Sequence, residues 1–187
     1  MTAHKKQEAS MEQQLSSIQV YSGPVISLRV DKVRKPSGAI TTRDVVEHSD
    51  CVAVVPIDDD QQVLLVKQFR YPVDSALLEV PAGGIETGED VVDCVRRELQ
   101  EEIGYFPERV EKLGGFYAIP GYGTEYLYVY VAKGLKPSRL VAEDTDEIEV
   151  VRVPVSKIPD LIFSGKICDA KSIASLLTYM AREKLLA

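Results

Sequence analysis

The sequence predicts an α/β (α+β mixed) fold, a mixed β-sheet with helices on both faces, preceded by an antiparallel β hairpin. Three observations lead there. Strand-like and helix-like segments alternate irregularly, with hairpin signals as well as longer crossovers. The main apolar strand, CVAVVPI at 51–57, follows rather than precedes a pair of alternating strands. Two segments, 91–103 and 169–186, repeat apolar residues at helical spacing.

The elements follow in order. Residues 1–14 are polar and read as a flexible lead-in, with strand character from Ile18 onward. VISLRVDKVRK (25–35) alternates, PSG (36–38) turns the chain, and AITTRDVVEH (39–48) returns as a partner strand. Such a hairpin carries little core of its own, so one face must be buried on the same chain or on a partner subunit. DDDQQ (58–62) turns the chain from the apolar strand into VLLVKQFRY (63–71), and ALLEVPAGG (76–84) leads to a helix. Thr87 is the expected cap of that helix, with Asp90 three positions on. Its apolar stripe is Val91, Val92, Cys94, Val95, Leu99 and Ile103, and Gly104 is a good terminator. VEKLGGFYAI, EYLYVYVAKG and EIEVVRVPV read as later strands. A short helix near Ser156 and an amphipathic one over 169–186 close the chain.

Composition narrows the class. The chain has 187 residues, 45% hydrophobic and 27% charged, as expected of one globular domain with an appendage. The boundaries read as a lead-in (1–14), a hairpin region (15–50) and a main domain (51–187). A net charge of −7 argues against nucleic acid and against an anionic membrane surface. No apolar run approaches a membrane span and no signal peptide is visible. Three scattered cysteines without a CxxC pair indicate a reducing, cytoplasmic setting. With only two histidines, His4 and His48, a metal would be held mainly by oxygen, which favours a hard cation such as Mg²⁺ or Mn²⁺.

The helix at 90–103 raises the chemical question. Glu98, Glu101 and Glu102 stand at i, i+3 and i+4 and so share a face, with Leu99 and Ile103 on the other side. Like charges at that spacing destabilise a helix. They are either a solvated acidic face or a platform for a divalent cation. The preceding glycines, Gly83, Gly84 and Gly88, let backbone approach a ligand closely, and Arg97 and Glu89 are placed to pair across the loop–helix junction.

The stretch GGIETGEDVVDCVRRELQEEIGY (83–105) resembles the Nudix box, G-x5-E-x7-R-E-U-x-E-E-x-G-U, where U is bulky and apolar. All nine defined positions match over 23 residues: Gly83, Glu89, Arg97, Glu98, Leu99, Glu101, Glu102, Gly104 and Tyr105. The resemblance implies a Nudix α/β/α sandwich and a Mg²⁺-dependent hydrolase of a diphosphate linked to another moiety. It assigns Glu98, Glu101, Glu102 and the carbonyl of Ala82 to the metal. Arg97 and Glu89 become supporting groups, alongside Gly83 and Gly104.

Three further stretches resemble the ADP-ribose pyrophosphatase branch. Pro120, sixteen residues after Gly104, lies in AIPGYGTE with Gly121 and Glu125. VKQFRYPV (66–73) places Arg70 as a phosphate contact, for which a guanidinium fork is suited. TTRDVVEHSDCVAVVP (41–56) adds Arg43 as a ligand contact, with His48 structural. For the general base, the acidic loop 141–150 offers Glu143, Asp144, Asp146, Glu147 and Glu149. Glu147 is preferred and Asp146 is next, with Glu101 and Glu102 as helix alternatives. The resemblance implies a homodimer with a swapped N-terminal hairpin, acting on a small-molecule nucleotide sugar. Other NDP-sugars or dinucleotides such as GDP-mannose or NADH are the alternative substrates, and a non-catalytic ADP-ribose sensor is the alternative of a different class.

Overall fold

The computed structural model of the protein describes residues 11–142 and 148–186. They divide into two compact units, the first running to Ser49 and including Ile119–Glu125, the second comprising Asp50–Ala118 and the chain from Tyr126.

The first unit is a three-stranded antiparallel sheet of β1 (Gln13–Ser22), β2 (Ser27–Arg34) and β3 (Ile40–Glu47), in the order β1-β2-β3. The expected hairpin is β2–β3, with Val30 opposite Asp44. Its turn needs Gly38, whose φ of 85° lies in the left-handed region where side chains are strained. The structure adds β1, which begins inside the expected lead-in. Its first half, Gln13–Ser17, is too polar to read as a strand, but the backbone of β1 completes the edge of β2, with Ser17 opposite Asp31 and Ile18 opposite Val30. After β3, the loop 119–125 is tied to Val46. The Val46 amide donates to the Tyr122 carbonyl at 2.7 Å, and the Thr124 amide donates to the Val46 carbonyl at 3.0 Å.

In the second unit the chain continues as β4 (Cys51–Pro56), β5 (Gln62–Arg70), β6 (Ser75–Glu79), β7 (Ala82–Gly84), α1 (Val91–Glu102), β8 (Tyr105–Tyr117), β9 (Tyr126–Pro137), β10 (Glu149–Pro154), α2 (Ile158–Phe163) and α3 (Ala170–Arg182). One sheet has the order β7-β4-β9-β8, the other β10-β5-β6. Strands β4 and β9 run parallel and the remaining pairs antiparallel, so the sheet is mixed.

Strand β4 is buried along its whole length because both of its faces are covered. Cys51, Ala53 and Val55 face one core with Ile158, Leu176, Tyr179 and Met180 from α2 and α3. Val52 and Val54 face the other, with Cys94, Val95, Leu99 and Ile103 around α1. The period of two in the strand thus assigns alternate residues to opposite helix layers.

Helix α1 begins three residues later than Thr87 would require. Asp90 is its cap, with a side-chain oxygen accepting the Val92 amide at 2.8 Å. Residues 86–89 are used instead in a turn, where Gly88 has φ of 84° and the Glu89 amide donates to the Glu86 carbonyl. At the other end Gly104, with φ of 77°, stops the helix as expected.

Candidate active site

The site is built where β7 meets α1. Leu99 and the apolar stripe anchor α1 in the core, so its other side is pressed against the short strand that precedes it. The side chain of Glu98 lies over Gly83, in the space that a Cβ there would occupy. Glu102 accepts a hydrogen bond from the Ala82 amide at 3.2 Å. Both glutamates are only 7% exposed. The acidic face is therefore not a solvated one.

Arg97 organises the remainder. Its Nε and Nη2 donate to the two oxygens of Glu89 at 2.8 and 3.0 Å, and Nη2 also reaches the Gly84 carbonyl at 3.0 Å. Its Nη1 donates to Glu98 at 2.7 Å and to Glu101 at 3.1 Å. The expected loop–helix pair is present, and one guanidinium spans the box loop and two of the three carboxylates. The Glu89 carboxylate also accepts the Glu86 amide at 3.0 Å, closing the loop on itself.

The electrostatics separate these groups. Hydrogen bonding to Arg97 holds Glu89 down at about 2 despite its partial burial. Burial drives Glu102 up to about 8, helped by the charge of Glu98 and opposed by the Ala82 amide, Arg70 and Lys171. Burial also raises Glu98, with Arg97 pulling the other way. Two adjacent buried carboxylates whose hold on protons is strengthened by burial are a donor set that a divalent cation suits. All its oxygens are hard, and a cation's charge would offset both the burial and the mutual repulsion of these acids. The residues present fit a hard divalent ion.

Arg70 ends β5 beside this site. Its Nε and Nη2 donate to the two oxygens of Glu79 at 2.9 and 2.7 Å. Glu79 is 1% exposed, yet its carboxyl is lowered, because Arg70 and Lys171 outweigh the desolvation that pushes it up. This buried acid escaped the sequence reading. Its signal is a lone glutamate in the apolar run ALLEV, which in a folded chain demands a cationic partner.

Ala82, Gly83, Glu89, Arg97, Glu98, Glu101, Glu102 and Gly104 are thus gathered in the second unit, as is Arg70. Gly104 serves the helix end. Arg43, Pro120, Gly121 and Glu125 belong to the first unit. There Arg43 donates to the Glu12 carboxylate at 3.0 and 2.5 Å, and the His48 amide donates to the Thr124 hydroxyl at 3.1 Å. Ile26, Val46, His48, Ile119, Gly123 and Glu125 line a cavity of about 150 Å³, too small to hold a nucleotide sugar by itself. Glu147, like Glu143, Asp144 and Asp146, lies outside the described residues.

The family profile described as NUDIX domain matches residues 47–176. The chain belongs to the NUDIX domain family. It is a Nudix hydrolase, and the profile described as nucleoside diphosphate sugar hydrolase N-terminal domain matches residues 12–46. It is 35% identical to the ADP-ribose pyrophosphatase of Bacillus subtilis (strain 168), over 94% of this chain and 96% of that protein. It is 34% identical to the methanol dehydrogenase activator of Bacillus methanolicus, over 93% and 95% of the two chains. A solved structure of an ADP compounds hydrolase superposes with a TM-score of 0.84 at 23% identity, covering 93% of this chain and 94% of the other, which establishes the fold.

Proposed function

We propose that the protein hydrolyses the pyrophosphate bond of ADP-ribose, with Mg²⁺, to AMP and ribose 5-phosphate. The observation that carries this reading is the buried Glu98–Glu102 pair on a complete Nudix box, in a chain resembling an ADP-ribose pyrophosphatase along nearly its whole length. Glu98, Glu101, Glu102 and the Ala82 carbonyl would hold the cation, with Mn²⁺ as a substitute. Bound there, it supplies Lewis-acid neutralisation of the diphosphate charge.

The chain's own groups do the rest. Glu89 and Arg97 fix the box loop and set the orientation of Glu98 and Glu101. Arg70 spends Nε and Nη2 on Glu79, and its Nη1 has no partner among the described residues, leaving N–H donors for phosphate oxygens. One water is consumed. Its proton passes to a carboxylate, Glu147 in our assignment with Asp146 next, while its oxygen joins phosphorus and the second phosphate leaves. Arg43, Pro120, Gly121 and Glu125 are assigned to the nucleotide side of the substrate.

The match of residues 12–46 to a nucleoside diphosphate sugar hydrolase segment favours a second reading, another NDP-sugar such as GDP-mannose. Initial rates on ADP-ribose, GDP-mannose and NADH, with and without Mg²⁺, decide between them. Release of AMP from ADP-ribose at the highest kcat/KM supports our assignment.

We also assign the protein to the cytoplasm as a homodimer in which the N-terminal strands are exchanged. In support, β1 and β3 leave Ile18, Val20 and Ile40 more than half exposed, an apolar surface that a second copy would cover. No described helix is long and apolar enough to cross a membrane.

A further inference from the structure

Behind Arg70 stands a group of charges that the proposed chemistry does not use. Lys171 donates from Nζ to Glu79 Oε2, the oxygen that also accepts from Arg70 Nη2, and to Asp169 Oδ2 at 2.9 Å. Asp169 is the cap of α3, accepting the Ser172 amide at 3.0 Å and the Ser172 hydroxyl at 2.6 Å. The Ser172 hydroxyl in turn accepts the Val80 amide at 2.8 Å. The first turn of α3 is therefore bonded to the end of β6 twice, at Glu79 through Lys171 and at Val80 through Ser172.

We propose that Lys171, braced by Asp169, is a positioning residue for phosphate recognition: it holds the Glu79 carboxylate in the orientation that fixes the Arg70 fork and leaves its Nη1 edge available to a diphosphate. The charges argue for this division of labour. Two acids, Glu79 and Asp169, are hydrogen-bonded to the pair of bases Arg70 and Lys171, and Glu102 lies within electrostatic reach of both bases. Without Lys171 the single guanidinium would have to answer buried Glu79 and half-buried Asp169 together and would be drawn away from any ligand. With it, Glu79 is neutralised from behind and Arg70 keeps donors to spare. The placement is rigid, because Lys171 is the second residue of a capped helix and Glu79 the last of a paired strand. Lys171 is one-sixth exposed and Arg70 more than twice that, so the two cations hold inner and outer positions around Glu79.

This rests on the reading of Arg70 as a phosphate contact, and the test separates the two. Steady-state kinetics on the full chain with ADP-ribose and Mg²⁺ would compare Arg70→Ala, Lys171→Met, the double variant and Lys171→Arg. The expected result is a KM raised about tenfold in Lys171→Met with kcat changed less than about threefold, and an effect below about twofold in the Arg70→Ala background. Lys171→Arg should recover most of the loss. In parallel, the Arg70 Nε–Hε resonance, identified by its absence in Arg70→Ala, should be sharp in the wild type and shifted or broadened in Lys171→Met. Should Lys171→Met fail to fold, Lys171→Met with Asp169→Asn removes one charge of each sign, keeps a capping side chain, and reads the same KM. An unchanged KM in Arg70→Ala would remove the phosphate role of Arg70 and the proposal with it. A raised KM in Arg70→Ala with none in Lys171→Met, or an equal Lys171→Met effect in both backgrounds, would overturn the proposal alone.

Discussion

The carboxylate of Glu98 rests on the backbone of Gly83, filling the place where any other residue would carry its Cβ. The glycine is thus a spatial requirement of the site, separate from any need for unusual backbone angles. Gly83→Ala must push Glu98 off β7 or spread β7 from α1. We expect kcat/KM on ADP-ribose to fall at least about a hundredfold, comparable to losing an electrostatic stabiliser. Thermal unfolding should change little, since β7 is only three residues long. Near-wild-type turnover would show that Glu98 does not need this position.

Glu102→Gln keeps the shape of the side chain and removes its charge. Catalytic rate should drop at least about a hundredfold with the fold intact, because a neutral amide brings no negative charge to the cation and binds it more weakly than a carboxylate. Circular dichroism together with kcat is the check, and full activity would take Glu102 out of the metal site.

The same residue predicts a pH dependence of stability. Its carboxyl titrates at about 8 in the folded protein against an ordinary value of 4.5. Between those values the folded chain holds a proton that the unfolded chain has released, so metal-free stability falls as pH rises through this window. In EDTA, the wild-type Tm should drop between pH 5.5 and 8.5 by about 5 °C or more, and Glu102→Gln should lack that slope. Parallel curves for the two proteins would contradict the elevated value.

Metal binding must then displace protons. Titration calorimetry with Mg²⁺ or Mn²⁺ at pH 7, in two buffers of different ionisation enthalpy, should give different heats that report proton release, on the order of one per site. Affinity should increase toward pH 8.5 as Glu102 ionises. Equal heats in both buffers would mean that the carboxylates are already ionised.

Glu89 runs the other way. Arg97 lowers it to about 2 from an ordinary 4.5. Its contribution to stability is fully present above pH 4.5 and is lost as pH falls through about 2. Glu89→Gln should cost about 2 kcal/mol at pH 6, the range for a hydrogen bond to a charged group, and the difference should shrink below pH 3. Denaturant midpoints across this range provide the measurement.

Ile18, 68% exposed in the middle of β1, tests the proposed dimer. Ile18→Asp should shift the protein toward monomer in light scattering without unfolding the second unit. A wild-type monomer at micromolar concentration would remove that assignment.

How much of this was legible beforehand depends on the kind of interaction. Local pattern sufficed for the strand alternation of β2 and β3, the stripe of α1, the stop at Gly104 and the pairing of Arg97 with Glu89, all of which lie within a few turns or one hairpin in sequence. Cap choice was misread, because Thr87 and Asp90 satisfy the same spacing rule and only the Gly88 turn removes Thr87 from the helix. The first half of β1, Gln13–Ser17, is not legible in the sequence because its edge pairing draws on backbone amides, which every sequence has.

By itself, then, the order of residues determined the layered architecture and the acidic helix, since hydrophobic period and motif spacing are properties of neighbours along the chain. Only the tertiary structure decided which carboxylates are buried and which cations answer them. Arg70, Glu79 and Lys171 lie up to about a hundred residues apart, and their free energies depend on desolvation, which exists only once strands and helices have closed around them.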